Sequence, residues 1–233
     1  MEHKTRHPQL LLDLRPEQAS SFDNFVIGKN AELVARVKAL SDLEVFDQIY
    51  LWGPPGSGRS HLLRAAGAAA QARQRPVCLI EAAQLGEHLA MPPNSLIILD
   101  DVDTLSEVAQ VTLFRTFNAA RLAGLALLLS GLQPPLRLQA TLREDLRTRI
   151  GSALIYEVQP LSEAEKAAAL RQHGQARGMS LDDGLIDYLL RHGRRDLPTL
   201  LAVLDALDRT SLEQQRPVTL PLLREILQTT LEL

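Results

Sequence analysis

The stretch GPPGSGRS, residues 53–60, decides the fold of this chain. It fits the phosphate-loop pattern G-x-x-x-x-G-K-[ST] at every fixed position but one, because Arg59 stands where the pattern has lysine. The loop follows the apolar run QIYLW and opens the helical run SHLLRAAGAAAQA, which is the strand–loop–helix context that such a loop requires. The sequence therefore predicts a phosphate site between a strand and a helix, the alternative being a glycine turn that binds nothing.

The residue types in this loop suit the binding of a nucleotide. Gly53, Gly56 and Gly58 let backbone amides turn inward around phosphate oxygens, and the helix N-terminus adds a favourable dipole. Ser60 offers a hydroxyl to Mg²⁺. The other predicted nucleotide contacts of the loop are Pro54, Pro55, Ser57, Arg59 and His61.

Arg59 keeps the positive charge of the usual lysine and changes its shape. A planar guanidinium forks onto β-phosphate oxygens, but it is bulkier than lysine and less able to follow charge onto a transferring γ-phosphoryl group. We therefore expect nucleotide binding with weak or no intrinsic ATP hydrolysis, and either ADP or ATP as the working ligand.

A second half of the site is expected at the end of SLIILDDVD, residues 95–103. Asp100 follows four apolar residues and is the candidate to hold Mg²⁺ through water, while Asp101 is the candidate to orient or activate the attacking water. Ser130, at the end of LALLLS, is a candidate polar residue between the two halves, or equally a turn serine.

Five short apolar runs, QIYLW, VCLI, SLIILD, LALLLS and ALIYEV, alternate with helical segments between residues 48 and 158. Because these runs are continuously apolar, they predict an α/β fold with a five-stranded parallel sheet covered on both faces. After Pro160 only helix signals remain. Helix starts are predicted at Ser162 with Glu165, at Ser180 with Asp183, at Asp196 and at Thr219, and Gly193 is predicted to end the second helix.

The predicted organisation is a flexible tail at residues 1–19, a nucleotide-binding core at 20–159 and a small all-helical lid at 160–233. A chain of 233 residues that is 45% apolar is long enough to bury a core and a small second domain. The single cysteine, Cys78, is expected to be a buried, inert strand thiol.

Charge and hydropathy argue against several kinds of partner. The formal charge of −3 provides no broad basic field, so direct nucleic-acid binding is not expected. The longest apolar stretch, residues 122–132, is about half of the ~20 residues that cross a bilayer, and the N-terminus is too short in apolar residues for a signal sequence. We therefore expect a cytoplasmic protein that does not bind membranes.

These motifs together resemble the initiator branch of the AAA+ ATPases, the DnaA family, over about residues 20–233. The segment SFDNFVIGKNAEL, residues 21–33, is similar to the family's entry motif, and the resemblance implies adenine contacts from Phe25, Val26 and Ile27. Two aspartates at 100 and 101, rather than Asp-Glu, are also a feature of this family. The resemblance implies an AAA+ core followed by a helical lid.

Two arginine positions acquire roles from this resemblance. DLRTRI, residues 145–150, is similar to the family's box VII, which implies that Arg149 is an arginine finger acting in trans on a neighbour's nucleotide. For Arg147, on the same segment, a solvated helix face is the expected role. GRRDLPTLL resembles the sensor segment of the lid, and Arg195 is the matching nucleotide contact, with Arg194 as the alternative.

The tail and the end of the chain resemble one group in this family, the Hda regulators. QLLLDL, residues 9–14, is similar to the hexapeptide that docks on the DNA polymerase III β sliding clamp, with Gln9, Leu10, Leu12 and Leu14 as contacts. The sequence ends after the lid, so the helix-turn-helix DNA reader of DnaA is not expected.

The resemblance implies a clamp-bound regulator that stimulates hydrolysis of DnaA-bound ATP and so prevents re-initiation of chromosome replication. A self-assembling AAA+ ATPase such as a helicase loader is the alternative, and it would form a homo-oligomer. An inert, nucleotide-stabilised scaffold is a third possibility.

Overall fold

The computed structural model describes residues 19–193 and 196–231, with the side chains of the last helix described to residue 228. The core elements in chain order are α1 (Ala31–Ala39), β1 (Gln48–Trp52), α2 (Arg59–Ala72), β2 (Val77–Glu81), β3 (Leu96–Asp100), α3 (Glu107–Ala123), β4 (Ala126–Gly131), α4 (Glu144–Gly151) and β5 (Leu154–Glu157). All five predicted strands are present, with boundaries within a residue or two of the apolar runs.

The five strands form one parallel sheet in the order β2-β3-β4-β1-β5, which confirms the predicted fold class. Successive side chains of a strand point to opposite faces, and the central strands are apolar on both. Ile49 and Leu51 pack with α1 and α2 on one face, whereas Tyr50 packs with α3 and α4 on the other. Two apolar layers therefore hold the sheet between two pairs of helices.

The expectation that the whole sheet is covered on both faces is wrong for the two edge strands. Leu79 of β2 is 56% exposed, and Leu154 and Ile155 of β5 are 39% and 40% exposed. Cys78 is also only partly buried, because β2 has a single neighbouring strand and incomplete helix cover. Burial nevertheless raises the pKa of the Cys78 thiol, which disfavours the reactive thiolate.

Four helices follow the sheet: α5 (Glu163–Ala176), α6 (Asp183–His192), α7 (Leu197–Gln214) and α8 (Leu220–Leu231). They enclose an apolar core of their own, which includes Leu170, Leu189 and Leu204. The predicted capping box of Ser162 and Glu165 is present, and Asp196 caps α7 by accepting from the Thr199 amide at 3.0 Å.

The predicted start of the second lid helix is off by two residues. Asp182, rather than Ser180, caps α6, and its carboxylate accepts a 2.6 Å hydrogen bond from the Leu185 amide. Gly193 ends this helix as predicted. In the described part of the chain, no helix has both the length and the apolar character needed to span a membrane.

Asn30 joins the first described segment to the connection between the sheet and α5. Its side-chain amide donates to the Gln159 carbonyl at 2.9 Å and accepts from the Gln159 amide at 2.8 Å. Asn30 is only 4% exposed. This pair of hydrogen bonds fixes where the chain leaves the sheet and enters the lid helices.

Arg75 is the largest fully buried side chain among the described residues, at 1% exposure. Its Nε donates to the Asn94 carbonyl at 2.9 Å, and its Nη1 donates to the carbonyls of Leu40, Asp42 and Val45 at 2.8, 2.5 and 2.9 Å. The guanidinium also lies 5.9 Å from the centre of the Phe46 ring. Arg75 therefore ties the connection between α1 and β1 to the turn before β3.

Candidate functional site

The candidate site lies where β1, β3 and β4 end. Parallel strands place their carboxyl ends at one edge of the sheet, and ligands of open α/β sheets bind in the crevice outside that edge. Trp52 ends β1, Asp100 ends β3, and Ser130 lies one residue before the end of β4. The fold thus brings together the predicted phosphate loop, the paired aspartates and the serine.

The loop of residues 53–58 is packed tightly against its surroundings. A Cβ on Gly53 would lie 2.8 Å from the Val158 carbonyl oxygen, and one on Gly58 would lie 2.8 Å from the Phe25 ring. Gly58 also has φ +101°, a conformation that side chains disfavour. Pro54, Pro55 and Gly56 are exposed at the outer turn, and Ser57 is buried beneath them.

Helix α2 begins at Arg59, directly after the loop, with Ser60 and His61 half-buried in its first turn. The first turn contains no acidic side chain, so its free amides keep their partial positive charge. This arrangement is suited to an anion.

Arg59 is turned inward toward the paired aspartates. Its side chain is 9% exposed, and its Nη1 lies 3.5 Å from Oδ1 of Asp101. The distance is within ion-pair range, although neither atom makes a hydrogen bond elsewhere in the described structure. The arginine that departs from the phosphate-loop pattern is therefore paired with the residue expected to orient water.

Asp100, Asp101 and Ser130 form one hydrogen-bonded group across the ends of β3 and β4. The Ser130 hydroxyl donates to Oδ1 of Asp100 in a short hydrogen bond, and the Asp101 amide donates to the same oxygen at 3.1 Å. Ser130 is fully buried within β4, so it is not the turn serine that was the alternative. Its hydroxyl fixes the carboxylate of Asp100.

The electrostatic environment of Asp101 is shaped by burial and by like charges. Burial is the largest cause that raises the pKa of Asp101, and the nearby carboxylates of Asp100 and Asp103 raise it further, whereas Arg59 lowers it. Tyr50 lies beneath the same group, and burial together with Asp103 raises the pKa of its phenol, which donates to the Gln133 carbonyl at 2.7 Å. The site holds several acidic groups around one arginine.

The segment implied to contact adenine lies beside the first turn of α2. Phe25 is half-buried against Gly58, and its ring centre lies 5.5 Å from that of His61. His61 in turn shares a 2.9 Å hydrogen bond with the Ser21 carbonyl. Val26 is half-buried and Ile27 is 44% exposed. His61 thus links the phosphate loop to the segment implied to hold the base.

The start of lid helix α7 also reaches the loop. A Cβ on Gly56 would lie 3.6 Å from Cβ of Asp196. The predicted sensor, Arg195, and its alternative, Arg194, directly precede Asp196 but lie outside the described residues. The clamp-docking residues Gln9, Leu10, Leu12 and Leu14 lie outside them as well.

Arg149 lies in the last turn of α4. It is exposed, and its guanidinium lies 5.9 Å from the centre of the Phe114 ring on α3. Within the described residues no carboxylate pairs with it, whereas Arg143 on the same segment pairs with Asp145 at 3.2 Å. Arg147 is half-buried.

The described residues fit a nucleotide phosphate. Ser57 Oγ and Arg59 Nη1 are buried donors without a hydrogen-bond partner, and both belong to the loop. No cluster of three His, Cys, Asp or Glu side chains suited to a metal occurs among the described residues. This is compatible with Mg²⁺, which is usually held by one or two carboxylates together with phosphate oxygens and water.

Two residues of the site were not expected from the sequence. Tyr50 was assigned only to an apolar strand, and Asp103 follows the aspartate pair and accepts from the Leu132 amide at 3.2 Å. The extended acidic run DDVD was the one signal that pointed to Asp103.

Two protein-family models match separate parts of the chain. The bacterial DnaA ATPase domain matches residues 17–90, and the Hda lid domain matches residues 163–227. Domain III of DnaA from Thermotoga maritima is 18% identical with a TM-score of 0.71, and the match covers 91% of this chain and 97% of that one.

Two further solved structures share the fold. A DnaA bound to AMPPCP and single-stranded DNA is 24% identical with a TM-score of 0.68, covering 84% of this chain and 67% of that one. A RuvB variant from Thermotoga maritima is 14% identical with a TM-score of 0.68, covering 92% of this chain and 72% of that one.

The parallel sheet, the phosphate loop at its carboxyl edge and the appended helical lid give this chain the fold of the DnaA and RuvB structures, which is the AAA+ architecture. The two family models make the likeness more specific in two segments. The chain is similar to the bacterial DnaA ATPase domain over residues 17–90 and to the lid domain of Hda over residues 163–227.

Proposed function

We propose that this protein is a nucleotide-bound regulator that accelerates hydrolysis of ATP held by DnaA. In this proposal residues 9–14 dock it on the DNA polymerase III β sliding clamp, and Arg149 is the arginine finger. Lowering the amount of ATP-bound DnaA would then prevent re-initiation of chromosome replication. The observation that carries the proposal is the position of Arg149, which is exposed and free of a carboxylate partner among the described residues.

The position of Arg149 argues that it acts on another molecule. Helix α4 leads into β5, whose first residue, Leu154, pairs with Ile49 near the start of β1. Arg149 therefore lies toward the amino edge of the sheet, whereas the phosphate loop follows the carboxyl end of β1. The five residues of β1 separate these edges by roughly 13 Å. A finger in this position is far from its own loop and open to a neighbour.

The nucleotide of the protein itself is assigned to the carboxyl edge. Residues 53–60 and His61 would bind the phosphates, Phe25 with Val26 and Ile27 would contact adenine, and Arg195 would approach from the lid. When bound, Mg²⁺ supplies positive charge that neutralises the phosphates. Ser60 and Asp100 are its candidate ligands, and Ser130 holds the Asp100 carboxylate in place.

A finger supplied by a partner is worth about 10³-fold or more in rate, because it meets charge that develops only in the transition state. The self-assembling ATPase remains the second candidate, since Asp101 stands beside the phosphate loop and Arg149 is open to an identical neighbour as well. Such a motor hydrolyses ATP unaided, so turnover by the purified protein alone separates the two functions.

The test compares ATP turnover by DnaA, with DNA-loaded clamp present, after addition of wild-type, Arg149→Ala or Arg149→Lys protein. We expect Arg149→Ala to lose the stimulation and Arg149→Lys to restore little of it, because an ammonium cannot make the forked contact. Arg147→Ala, two residues away on the same helix, is the matched control and should stimulate normally. Full stimulation by Arg149→Ala would refute the finger, and no stimulation by the wild type would refute the regulatory function.

A further inference from the structure

The ion pair between Arg59 and Asp101 joins the residue expected to bind phosphate to the residue expected to orient the attacking water. Arg59 replaces the usual lysine of the loop, and Asp101 is the candidate to orient water. Nη1 of Arg59 and Oδ1 of Asp101 lie 3.5 Å apart, and both atoms are buried and make no hydrogen bond in the described structure, whereas the Asp101 side chain as a whole is half-exposed. The guanidinium therefore faces one oxygen of the Asp101 carboxylate.

The backbone holds the Asp101 carboxylate in this position. Asp101 has φ 50°, a left-handed conformation that is uncommon for residues other than glycine. Its amide donates to Asp100 Oδ1 and to Ser130 Oγ at 3.1 and 3.3 Å, and its carbonyl accepts from the Thr104 hydroxyl at 2.8 Å. Because both sides of the residue are anchored, the backbone from which the carboxylate extends is fixed beside Arg59.

The pairing changes what Asp101 offers to water. A carboxylate oxygen that faces a guanidinium is a weaker acceptor for the proton of a water molecule, and its orientation is set by the arginine. Lysine in the same place is a compact, strongly hydrated point charge on a flexible stem, and it would follow the phosphates instead of holding a carboxylate. The substitution at position 59 therefore affects the aspartate as well as the phosphate contact.

We propose that Arg59 is a built-in brake: it pairs with Oδ1 of Asp101 and withholds that oxygen from water, so that the chain retains nucleotide with little turnover. This inference rests on the proposed nucleotide site and gives a physical cause for its weak hydrolysis. Because Asp101 is still present in the chain, replacing Arg59 should release the brake.

The experiment compares the full chain with Arg59→Lys, with Arg59→Lys combined with Asp101→Asn, and with Asp42→Asn. Asparagine tolerates the left-handed conformation at position 101, so the change removes charge with little strain. Asp42 pairs with Arg73 at 3.7 Å on the surface, outside the candidate site, so the loss of its charge is the matched control. We measure unaided ATP turnover with Mg²⁺, and ADP affinity by calorimetry.

Arg59→Lys is expected to raise turnover by about tenfold or more, with ADP affinity changed by less than about threefold. The double variant should fall back to the wild-type rate, and Asp42→Asn should stay near it. Turnover of Arg59→Lys at or below the wild-type rate, with ADP still bound, would overturn the brake. A double variant that keeps the raised rate would overturn it as well.

A second measurement needs no nucleotide. The side-chain nitrogen resonances of Arg59, recorded in nucleotide-free protein, should change in Asp101→Asn and stay in place in Asp42→Asn. Identical Arg59 signals in the wild type and Asp101→Asn would show that the pair does not form. If calorimetry instead finds no nucleotide binding by the wild type, the proposed nucleotide site fails, and these resonances still decide whether the pair exists.

Discussion

Arg75→Met should destabilise the protein strongly, although Arg75 lies outside the candidate site. Methionine keeps an unbranched apolar stem but removes the donors to four main-chain carbonyls, those of residues 40, 42, 45 and 94. At 1% exposure, the position gives water little access to the carbonyls left unpaired.

The expected loss follows from the number and kind of these hydrogen bonds. A hydrogen bond from a charged donor contributes about 1.5–3 kcal/mol, but four bonds to one guanidinium are not additive. Burial lowers the pKa of Arg75, which shows that the charged group bears a desolvation penalty. We therefore expect a loss of about 3–5 kcal/mol in the free energy of unfolding, the range for breaking a buried charged contact.

The assay is urea unfolding followed by fluorescence of Trp52, the single tryptophan, which packs against the core of the sheet. Arg73→Met is the matched control, since Arg73 is 62% exposed and makes an ion pair with Asp42 at 3.7 Å. Such an exposed pair is worth about 0–1 kcal/mol. If the two variants unfold at the same urea concentration, Arg75 does not hold the α1–β1 connection.

Three further predictions concern the clamp-docking residues, the binding of ADP and the cap of helix α5. Gln9→Ala with Leu10→Ala should abolish retention on immobilised clamp without changing the melting temperature, and undiminished retention would show that the motif match is accidental. ADP should raise the melting temperature of the wild type but not of Arg59→Ala, whereas an unchanged wild type across a saturating series would refute the phosphate site. Hydrogen bonds from the Ser162 hydroxyl and amide lower the pKa of Glu165. The ionised Glu165 carboxylate therefore stabilises the folded protein fully above pH 4.5, and this contribution is lost as the pH falls through the lowered pKa. Ser162→Ala should therefore weaken the protein at neutral pH and reduce this loss in acid, as read by unfolding at several pH values.

The strands and the phosphate loop were predictable because each leaves a local signal. Continuous apolar runs bounded by turn residues mark strands that are buried on both sides. An apolar run indicates that a segment is buried, but it does not show which strands lie beside it. The runs VCLI and ALIYEV therefore looked like inner strands, although β2 and β5 lie at the edges of the sheet. The strand order depends on contacts between distant segments, which periodicity does not encode.

The contacts that distinguish the candidate site were not predictable from local patterns. The loop motif indicated Arg59 as a phosphate contact, but its pairing with Asp101 depends on how β1 and β3 are placed in the sheet. Arg75 stands in ARQRP, residues 72–76, a polar stretch that does not mark the arginine as buried, and its four carbonyl partners come from segments 19 to 35 residues away. The helix start at Asp182 was missed because Ser180 is an equally good cap by residue type.

The glycines of the phosphate loop can be preserved in evolution by packing alone. Gly53 is required by the carbonyl of Val158, which belongs to the exit from the sheet, and Gly58 by the ring of Phe25. Both demands arise from packing within the protein and would persist in a descendant that no longer bound any ligand. Selection for a foldable chain alone would then preserve most of the glycine pattern. The fold does not require glycine at position 59. A change of activity can therefore appear in the motif as a change of residue at this position.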